Sequence, residues 1–280
     1  MSRPDPRSYL FVPGDRPERF DKALASAADA VILDLEDAVA ATNKAGAREA
    51  VAAWLKALAP EARARCVVRV NDEATAHFEA DLALLQACGA AQVMLPKAER
   101  VQTVARLRTA CTGIAVLALI ETARGVLRAE ALAEAPGVVR LVFGTIDFAL
   151  DMNLSGDPIG FDHAASRLAL ASRAAGLPGP VAGVTPDIQD TEPLLADLQR
   201  ARAHGFTAKL CIHPAHVLPI HRALQPSSAE LDWARRVVAA MHGGVQDAAL
   251  GAGGAVQVDG RMVDKPVLLR AQALLARERR

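Results

Sequence analysis

Short apolar runs rich in valine, isoleucine and leucine recur along most of the chain. Runs of this length, bounded by glycine, proline or polar residues, are typical of buried strands. The pattern predicts strands at YLFV (9–12), AVILDL (30–35), CVVRV (66–70), QVMLP (92–96), AVLALI (115–120), VVRLVF (138–143), PVAGV (180–184) and TAKLCI (207–212).

Alanine-rich segments with helical spacing of apolar residues separate these runs, for example residues 43–58, 75–88, 100–110 and 162–175. Strands that alternate with helices predict right-handed crossovers and a parallel sheet, which is an α/β fold. Eight repeats of strand and helix favour a closed (β/α)8 or TIM barrel over an open doubly wound sheet. In such a barrel, residues that follow the strands gather at one face, where active sites lie.

A tail follows the eighth run, so we expect a barrel over residues 1–226 and an extension over residues 227–280. Ser227 and Glu230 have the spacing of a capping box and predict a helix that reaches about His242. The glycine-rich stretch Gly243–Gly254 predicts a hinge. A strand-turn unit and a terminal helix follow, with Asp264 near the N-cap of that helix. A hinged extension is expected to pack on its own barrel or on a neighbour's.

Composition limits the classes of function. Apolar residues make up 51% and charged residues 23%, which indicates a packed globular protein. The 32 basic residues balance 32 acidic ones, so the bulk charge favours neither nucleic acid nor an anionic membrane. The first residues lack the apolar run of a signal peptide, so we expect a cytoplasmic protein. The four cysteines have no C-x-x-C spacing and are interpreted as core thiols.

Two carboxylates follow neighbouring predicted strands. Glu121 comes after AVLALI and Asp147 shortly after VVRLVF. Both are therefore expected at the barrel mouth, where they could hold one Mg²⁺, because this ion needs only one or two protein carboxylates. The alternative is a salt bridge to Arg69 or Lys97, and Asp147 could instead cap the next helix.

Other charged residues also lie at or just after the ends of predicted strands. Arg69, inside VVRVN, is suited to a bidentate grip on a substrate carboxylate, or to an internal pair with Glu36 or Asp37. Glu36 and Asp37 are candidate acceptors for water bound to a metal, or charges at a helix N-terminus. Lys97 is more typical of a solvated strand-end lysine than of a Schiff-base residue, and His213 of a loop or core histidine.

Several motifs together resemble the citrate lyase β-subunit-like group of the HpcH/HpaI aldolase family. They are RSYLFVPGDRPERF (7–20), VILDLEDAV (31–39), VVRVN (67–71), VMLPKAE (93–99), ALIETARGV (118–126), LVFGTIDFALD (141–151), GFTAKLCIHP (205–214) and GRMVDKP (260–266). The resemblance covers nearly the whole chain in order. It implies a (β/α)8 barrel, assembly as a homotrimer or hexamer, and magnesium-dependent making or breaking of a carbon–carbon bond next to a CoA thioester.

The resemblance also assigns roles. It makes Glu121 and Asp147 the magnesium ligands and Arg69 a catalytic residue that contacts substrate. Asp264 corresponds to a general base that a neighbouring subunit's tail brings in. Arg16, with Lys22, belongs to the region that meets the CoA nucleotide. Apart from what the resemblance implies, Glu36 and Asp37 are also candidate substrate-binding residues.

The expected function is therefore a lyase that splits a malyl-, citramalyl- or citryl-CoA type ester into a 2-keto acid and an acyl-CoA. The alternatives are the β subunit of a multi-subunit citrate lyase acting on citryl-ACP, a malyl-CoA thioesterase, and a 2-keto acid aldolase that uses no CoA. A non-catalytic CoA-binding protein is disfavoured, because every residue with an assigned role is present.

Overall fold

A computed structural model describes residues 5–243 and 256–278. Within them, eight parallel strands follow one another in chain order and close into a barrel, which confirms the predicted fold. They are β1 (Ser8–Pro13), β2 (Ala30–Asp34), β3 (Cys66–Arg69), β4 (Gln92–Leu95), β5 (Ala115–Ile120), β6 (Val138–Phe143), β7 (Val181–Ala182) and β8 (Ala208–Cys211). β1 pairs with both β2 and β8, and this pairing closes the barrel.

Helices lie between the strands and cover the outside of the barrel. In the first long helix, Ala47, Val51 and Leu55 form a buried stripe at a spacing of four residues, as expected for an amphipathic helix. The helices are α1 (Phe20–Leu24), α2 (Lys44–Ala57), α3 (Pro60–Arg63), α4 (Phe78–Cys88), α5 (Val101–Ala110), α6 (Ala123–Leu127), α7 (Ala129–Glu134), α8 (Thr145–Asp151), α9 (Asp162–Ala174), α10 (Glu192–Ala203) and α11 (Val217–Leu224).

Alternate strand residues fill the barrel interior. Ala30 and Ile32 of β2, Val67 of β3, and Leu117 and Leu119 of β5 belong to this buried cluster. Because side chains along a strand alternate between two faces, the next inward positions are residues 34, 69 and 121. The packing of the core therefore carries three charged side chains to the carboxyl end of the barrel.

Charged and polar groups tie the beginnings of β1 and β2 together. The carboxylate of Asp29 accepts a 2.8 Å hydrogen bond from the backbone N–H of Arg7 and lies 3.4 Å from Nε2 of His221. Oγ of Ser8 accepts the backbone N–H of Asp29 and lies 2.8 Å from the same ring nitrogen. Burial alone would raise the pKa of Asp29, but the contacts with His221 and Arg7 outweigh it and lower this pKa to about 2.

The described chain divides into two compact units, residues 5–221 and the described residues from 222 onward. The second contains α12 (Ser228–Gly243), an antiparallel hairpin of β9 (Val256–Val258) and β10 (Arg261–Val263), and α13 (Lys265–Glu278). Ser227 and Glu230 exchange backbone-to-side-chain hydrogen bonds, which confirms the capping box. Apart from Gly243, the predicted hinge lies outside the described residues. The packing of the extension stays a prediction.

Two further expectations concern cysteine chemistry and membranes. The four cysteines are free thiols, and Cys66, Cys88 and Cys211 are buried, which agrees with their interpretation as core residues. In the portion of the chain that the structure describes, no helix has both the length and the apolar content needed to cross a membrane.

The contacts of Asp29 predict an acid-sensitive contribution to stability. Its pKa of about 2 lies below the ordinary 3.8, so the ionised carboxylate stabilises the fold above pH 4 and loses this effect as the pH falls towards 2. We expect Asp29→Asn to lower the free energy of unfolding by about 2 kcal/mol at pH 7 and by progressively less below pH 4. Urea unfolding of both proteins across this range measures the difference. The exposed Glu18→Gln is the control, and an equal loss at all pH values would contradict the assignment.

Candidate active site at the carboxyl end of the barrel

A cavity of about 500 Å³ lies at the carboxyl end of the barrel strands. The predicted site residues Asp37, Arg69, Glu121 and Asp147 line it, together with Asp34. The strand phase thus brings the candidate metal ligands and the candidate catalytic arginine into one cavity, at the face where barrel enzymes have their active sites.

Arg69 and Asp34 form a buried bidentate ion pair. They are register partners at the ends of adjacent strands β3 and β2. Nε and Nη2 of Arg69 each lie 2.7 Å from one carboxylate oxygen of Asp34. Asp34 also accepts the backbone N–H groups of Glu36 and Ala38, at 2.9 and 3.1 Å. The principal partner of Arg69 is therefore Asp34, which the sequence analysis missed when it named Glu36 or Asp37.

The remaining face of the guanidinium of Arg69 contacts the two residues that were predicted. Nη1 lies 2.9 Å from Oε2 of Glu36, a charge contact without hydrogen-bond geometry, and 3.3 Å from Oδ2 of Asp37. The guanidinium also lies over the ring of Phe11, 4.8 Å from its centroid. Burial alone would lower the pKa of Arg69, but the hydrogen bonds and charges of Asp34, Glu36 and Asp37 raise it. Arg69 is thus a fixed, permanent cation.

Glu36 joins Arg69 to Lys97. Its second oxygen, Oε1, lies 3.2 Å from Nζ of Lys97. Burial raises the pKa of Glu36 to about 7, although the charge of Arg69 opposes this. Lys97 is half-buried and ion-paired, so the structure gives its amine a carboxylate partner rather than the solvated end that the sequence suggested.

A buried lysine that sequence reasoning missed supports the loop after β2. Nζ of Lys44 donates to the backbone carbonyls of Leu35 and Glu36, at 2.8 and 3.0 Å, and to Oδ1 of Asn71 at 2.6 Å. Asn71 in turn is held by the carboxylate of Asp81. Three acceptors satisfy the three donors of the ammonium group. Lys44 therefore fixes the backbone on which Glu36 lies.

Glu121 is buried directly after β5 and is oriented by a neighbouring backbone. Its Oε1 accepts a 2.7 Å hydrogen bond from the N–H of Lys97, which has a left-handed φ of 44°. A Cβ atom at Gly144 would lie 2.6 Å from Oε2 of Glu121, so only glycine leaves room for this carboxylate. Burial, followed by the charges of Glu36 and Asp147, raises the pKa of Glu121 to about 8.

Asp147 lies in the first turn of α8, where the helix dipole favours a negative charge. It is half-buried, and its charge acts on Glu121 across the cavity. The described residues contain no group of three or more His, Cys, Asp or Glu side chains arranged as metal ligands. A pair of carboxylates suits Mg²⁺, which completes its shell with water and substrate oxygens, and does not suit a structural zinc site.

The charge balance of the mouth also calls for a cation. Among the described side chains, Asp34, Glu36, Asp37, Glu121 and Asp147 supply five carboxylates against the two cations Arg69 and Lys97. Burying like charges together is unfavourable unless a counter-charge is present. The donor set therefore fits a divalent cation held by Glu121 and Asp147.

The remaining predicted residues have contacts of their own. Arg16 is exposed in the turn after β1, with Nε 3.9 Å from Asp15. His213 accepts the N–H of Ala215, which agrees with a loop role. Asp264 belongs to the second compact unit, where its Oδ1 caps α13 by accepting the N–H of Val267.

A family model and several known proteins are similar to this chain over most of its length. A model of the HpcH/HpaI aldolase/citrate lyase family matches residues 7–214. A citrate lyase subunit beta-like protein of Mycobacterium tuberculosis is 40% identical over 96% of this chain and 94% of its own length. A (3S)-malyl-CoA thioesterase of Cereibacter sphaeroides is 33% identical over 97% of this chain and 94% of its own.

A solved structure is similar over nearly the whole length. It is the protein CitE from Mycobacterium tuberculosis in complex with magnesium, acetoacetate and coenzyme A. The TM-score is 0.84 at 38% sequence identity, and the match covers 98% of both chains.

Gly144→Ala tests the geometry around Glu121. The added methyl would meet the carboxylate, so we expect the side chain of Glu121 to be displaced and the affinity for Mg²⁺ to fall about tenfold or more. Calorimetric titration with Mg²⁺ measures this, and thermal unfolding verifies that the barrel remains folded. Gly46→Ala is the matched control, because an added Cβ there meets nothing within 4 Å. Unchanged affinity in Gly144→Ala would remove Glu121 as a ligand.

Proposed function

The chain belongs to the HpcH/HpaI aldolase/citrate lyase family of enzymes, and on that premise we propose that it is a magnesium-dependent lyase that splits a carbon–carbon bond in a 3-hydroxyacyl-CoA ester. The observation that carries the proposal is the cavity in which Glu121 and Asp147 face the fixed cation Arg69. The relative CitE, which binds magnesium and coenzyme A, supports it.

Glu121 and Asp147 are the residues that would hold the ion. When bound there, Mg²⁺ supplies Lewis acidity and a template for the carboxylate and the neighbouring hydroxyl oxygen of the substrate. Gly144 leaves the space that the carboxylate of Glu121 occupies, and the N–H of Lys97 sets its orientation. The chain thus prepares the ligand geometry before substrate arrives.

Arg69 stabilises the negative charge that develops on the thioester. Its bidentate pair with Asp34 holds the guanidinium still, while Nη1 faces Glu36 and the exposed Asp37. A cation fixed in advance stabilises developing charge without having to reorganise during the reaction. A substrate anion would compete with Asp37 for Nη1, since the longer of the two contacts is the one to Asp37.

Asp264 is the proposed general base, brought to the mouth by the extension of the same chain or of a neighbouring copy in a homotrimer or hexamer. The base takes the proton of the hydroxyl group, whose electron pair forms the carbonyl of the 2-keto acid. The bond between carbons 2 and 3 of the acyl group breaks, and its electrons pass to the thioester enolate. Protonation of carbon 2 then gives the acyl-CoA. Arg16 and Lys22, both exposed, are the proposed contacts of the CoA nucleotide.

The decisive experiment is incubation of the purified protein with Mg²⁺ and malyl-, citramalyl- or citryl-CoA. A lyase releases a 2-keto acid and acyl-CoA in equal amounts. A thioesterase, the activity named for the relative from Cereibacter sphaeroides, instead releases free CoA and a hydroxy acid. Absence of turnover on all three esters would contradict the proposal and favour an acyl-carrier substrate or a CoA-independent aldolase.

Asp147→Ala removes one of the two proposed ligands. We expect kcat/KM to fall by at least about a thousandfold, since Lewis-acid stabilisation is worth several kcal/mol, with the thermal unfolding of the barrel retained. Steady-state assays with added Mg²⁺ and with EDTA measure the effect. Wild-type activity that persists in EDTA would remove the metal assignment.

Asp264→Asn separates the two roles of this side chain, as general base and as helix cap. Asparagine still accepts the N–H of Val267 and keeps α13 capped, but it cannot take a proton. We expect turnover to fall by about 10²- to 10⁴-fold with CoA-ester binding preserved. Turnover and calorimetric binding are measured on the same preparation, and unchanged turnover would exclude Asp264 as the base.

A further inference from the structure

The mouth of the barrel is divided into a charged half and an apolar half. The charged side chains come from the strand ends of β2, β3, β5 and β6, with Lys97 after β4. The neighbouring strands β8 and β1 contribute Leu210 and Phe11 to the same cavity, and the residues just after β7 and β8 contribute Val184 and Ile212. We call these four residues the apolar arc. Because β7, β8 and β1 are consecutive in the closed sheet, the arc is continuous.

Strand phase explains the apolar arc. In β8, Ala208 and Leu210 point into the barrel, and Ile212 continues the same alternation at the rim. Phe11 follows Tyr9 in β1 in the same way and packs with Val184 against the barrel core. Ile212 is 39% exposed, so an apolar surface faces the cavity rather than the interior.

The cations at the mouth lie in its charged half. Arg69 faces Asp34, Glu36 and Asp37, and Lys97 faces Glu36. Among the described residues of the barrel unit that line the cavity, those on or just after β7, β8 and β1 are all uncharged. The guanidinium of Arg69 lies over the ring of Phe11, so the absence of a cation applies to Val184, Leu210 and Ile212. A carboxylate placed against these three residues would lose its water without gaining a partner, which is costly. An alkyl group placed there would gain contact.

We infer that the apolar arc selects the substituent on carbon 3 of the acyl group. This inference rests on the proposed function. Carbon 3 carries a hydroxyl group, the carboxylate and one further substituent, which is hydrogen in malyl-CoA, methyl in citramalyl-CoA and carboxymethyl in citryl-CoA. The chain is specific for an alkyl substituent, and the 2-keto acid that it releases is pyruvate or a longer alkyl homologue.

The first test compares kcat/KM for these three esters under identical Mg²⁺ and pH. We expect the value for citramalyl-CoA to exceed that for malyl-CoA about tenfold, since a buried methyl group is worth at least that factor. The kcat/KM for citramalyl-CoA is expected to exceed that for citryl-CoA by a larger factor. Citryl-CoA cleaved as fast as citramalyl-CoA would overturn the inference and leave the lyase function standing. No cleavage of any ester would contradict the proposed function instead.

Variants at Ile212 test whether the apolar arc determines this selectivity. Ile212→Arg places a cation opposite the charged half and is expected to shift the citramalyl-to-citryl ratio of kcat/KM towards citryl-CoA by at least about tenfold. Ile212→Ala removes apolar contact and should lower the citramalyl-to-malyl ratio several-fold. Leu170→Arg, at a 70% exposed position on α9, is the matched control and should change neither ratio. Unchanged ratios in both Ile212 variants would overturn the inference.

A binding measurement gives a readout that does not depend on turnover. In the presence of Mg²⁺, calorimetric titration with pyruvate and with oxaloacetate compares a methyl with a carboxymethyl group at the same position. We expect wild-type protein to bind pyruvate at least about tenfold more tightly and Ile212→Arg to reverse the order. Tighter binding of oxaloacetate by wild-type protein would overturn the inference even if no ester is cleaved.

Discussion

The ion pair between Arg69 and Asp34 is the contact on which the mouth of the barrel depends. It joins the ends of two adjacent strands, and Asp34 also accepts the backbone N–H groups that begin the next loop. Removing one partner of a buried pair leaves an uncompensated charge and costs about 3–5 kcal/mol. The pair therefore fixes the guanidinium, the loop after β2 and the position of Glu36 at the same time.

Steric constraints position a second charged side chain at the mouth, that of Glu121. Glu121 fits because Gly144 has no side chain, and it is oriented because Lys97 adopts a left-handed φ that turns its N–H towards the carboxylate. A non-glycine residue in that region costs on the order of 1 kcal/mol or more, which the surrounding contacts must offset. Strain of this kind is found where a side chain has to be held in one orientation.

Much of the barrel could be predicted from the sequence, because apolar runs and amphipathic helices are local patterns. Every predicted run contributed a strand, although residues 180–184 gave only Val181–Ala182. Gly183 lies so close to Thr145 that a Cβ would be 2.3 Å from its Oγ1. The alternating pattern of a strand gives no information on such a close approach between segments that are distant in the sequence.

The charged contacts were harder to predict. Inspection of the strand ends and of the residues after them found Arg69, Glu121 and Asp147. It missed Asp34, which is the last residue of its strand and follows Ala30 and Ile32 in inward phase. Applying the alternation of β2 to its end could have found it. No comparable signal marks Lys44, because its partners are backbone carbonyls and Asn71, 27 residues further along.

The excess of carboxylates follows from the reaction that the site is proposed to carry out. A site that stabilises an enolate with a cation must also hold that cation when no substrate is bound. Carboxylates can do so because their negative charge exceeds the positive charge of the neighbouring side chains. Arg69 cannot replace the ion, because three carboxylates already face its guanidinium. On the proposed function, the charge of the site therefore acts on the metal and on the reacting oxygens. On the proposed function, recognition of the rest of the acyl group falls to the apolar arc beside β7, β8 and β1, through shape and apolar contact.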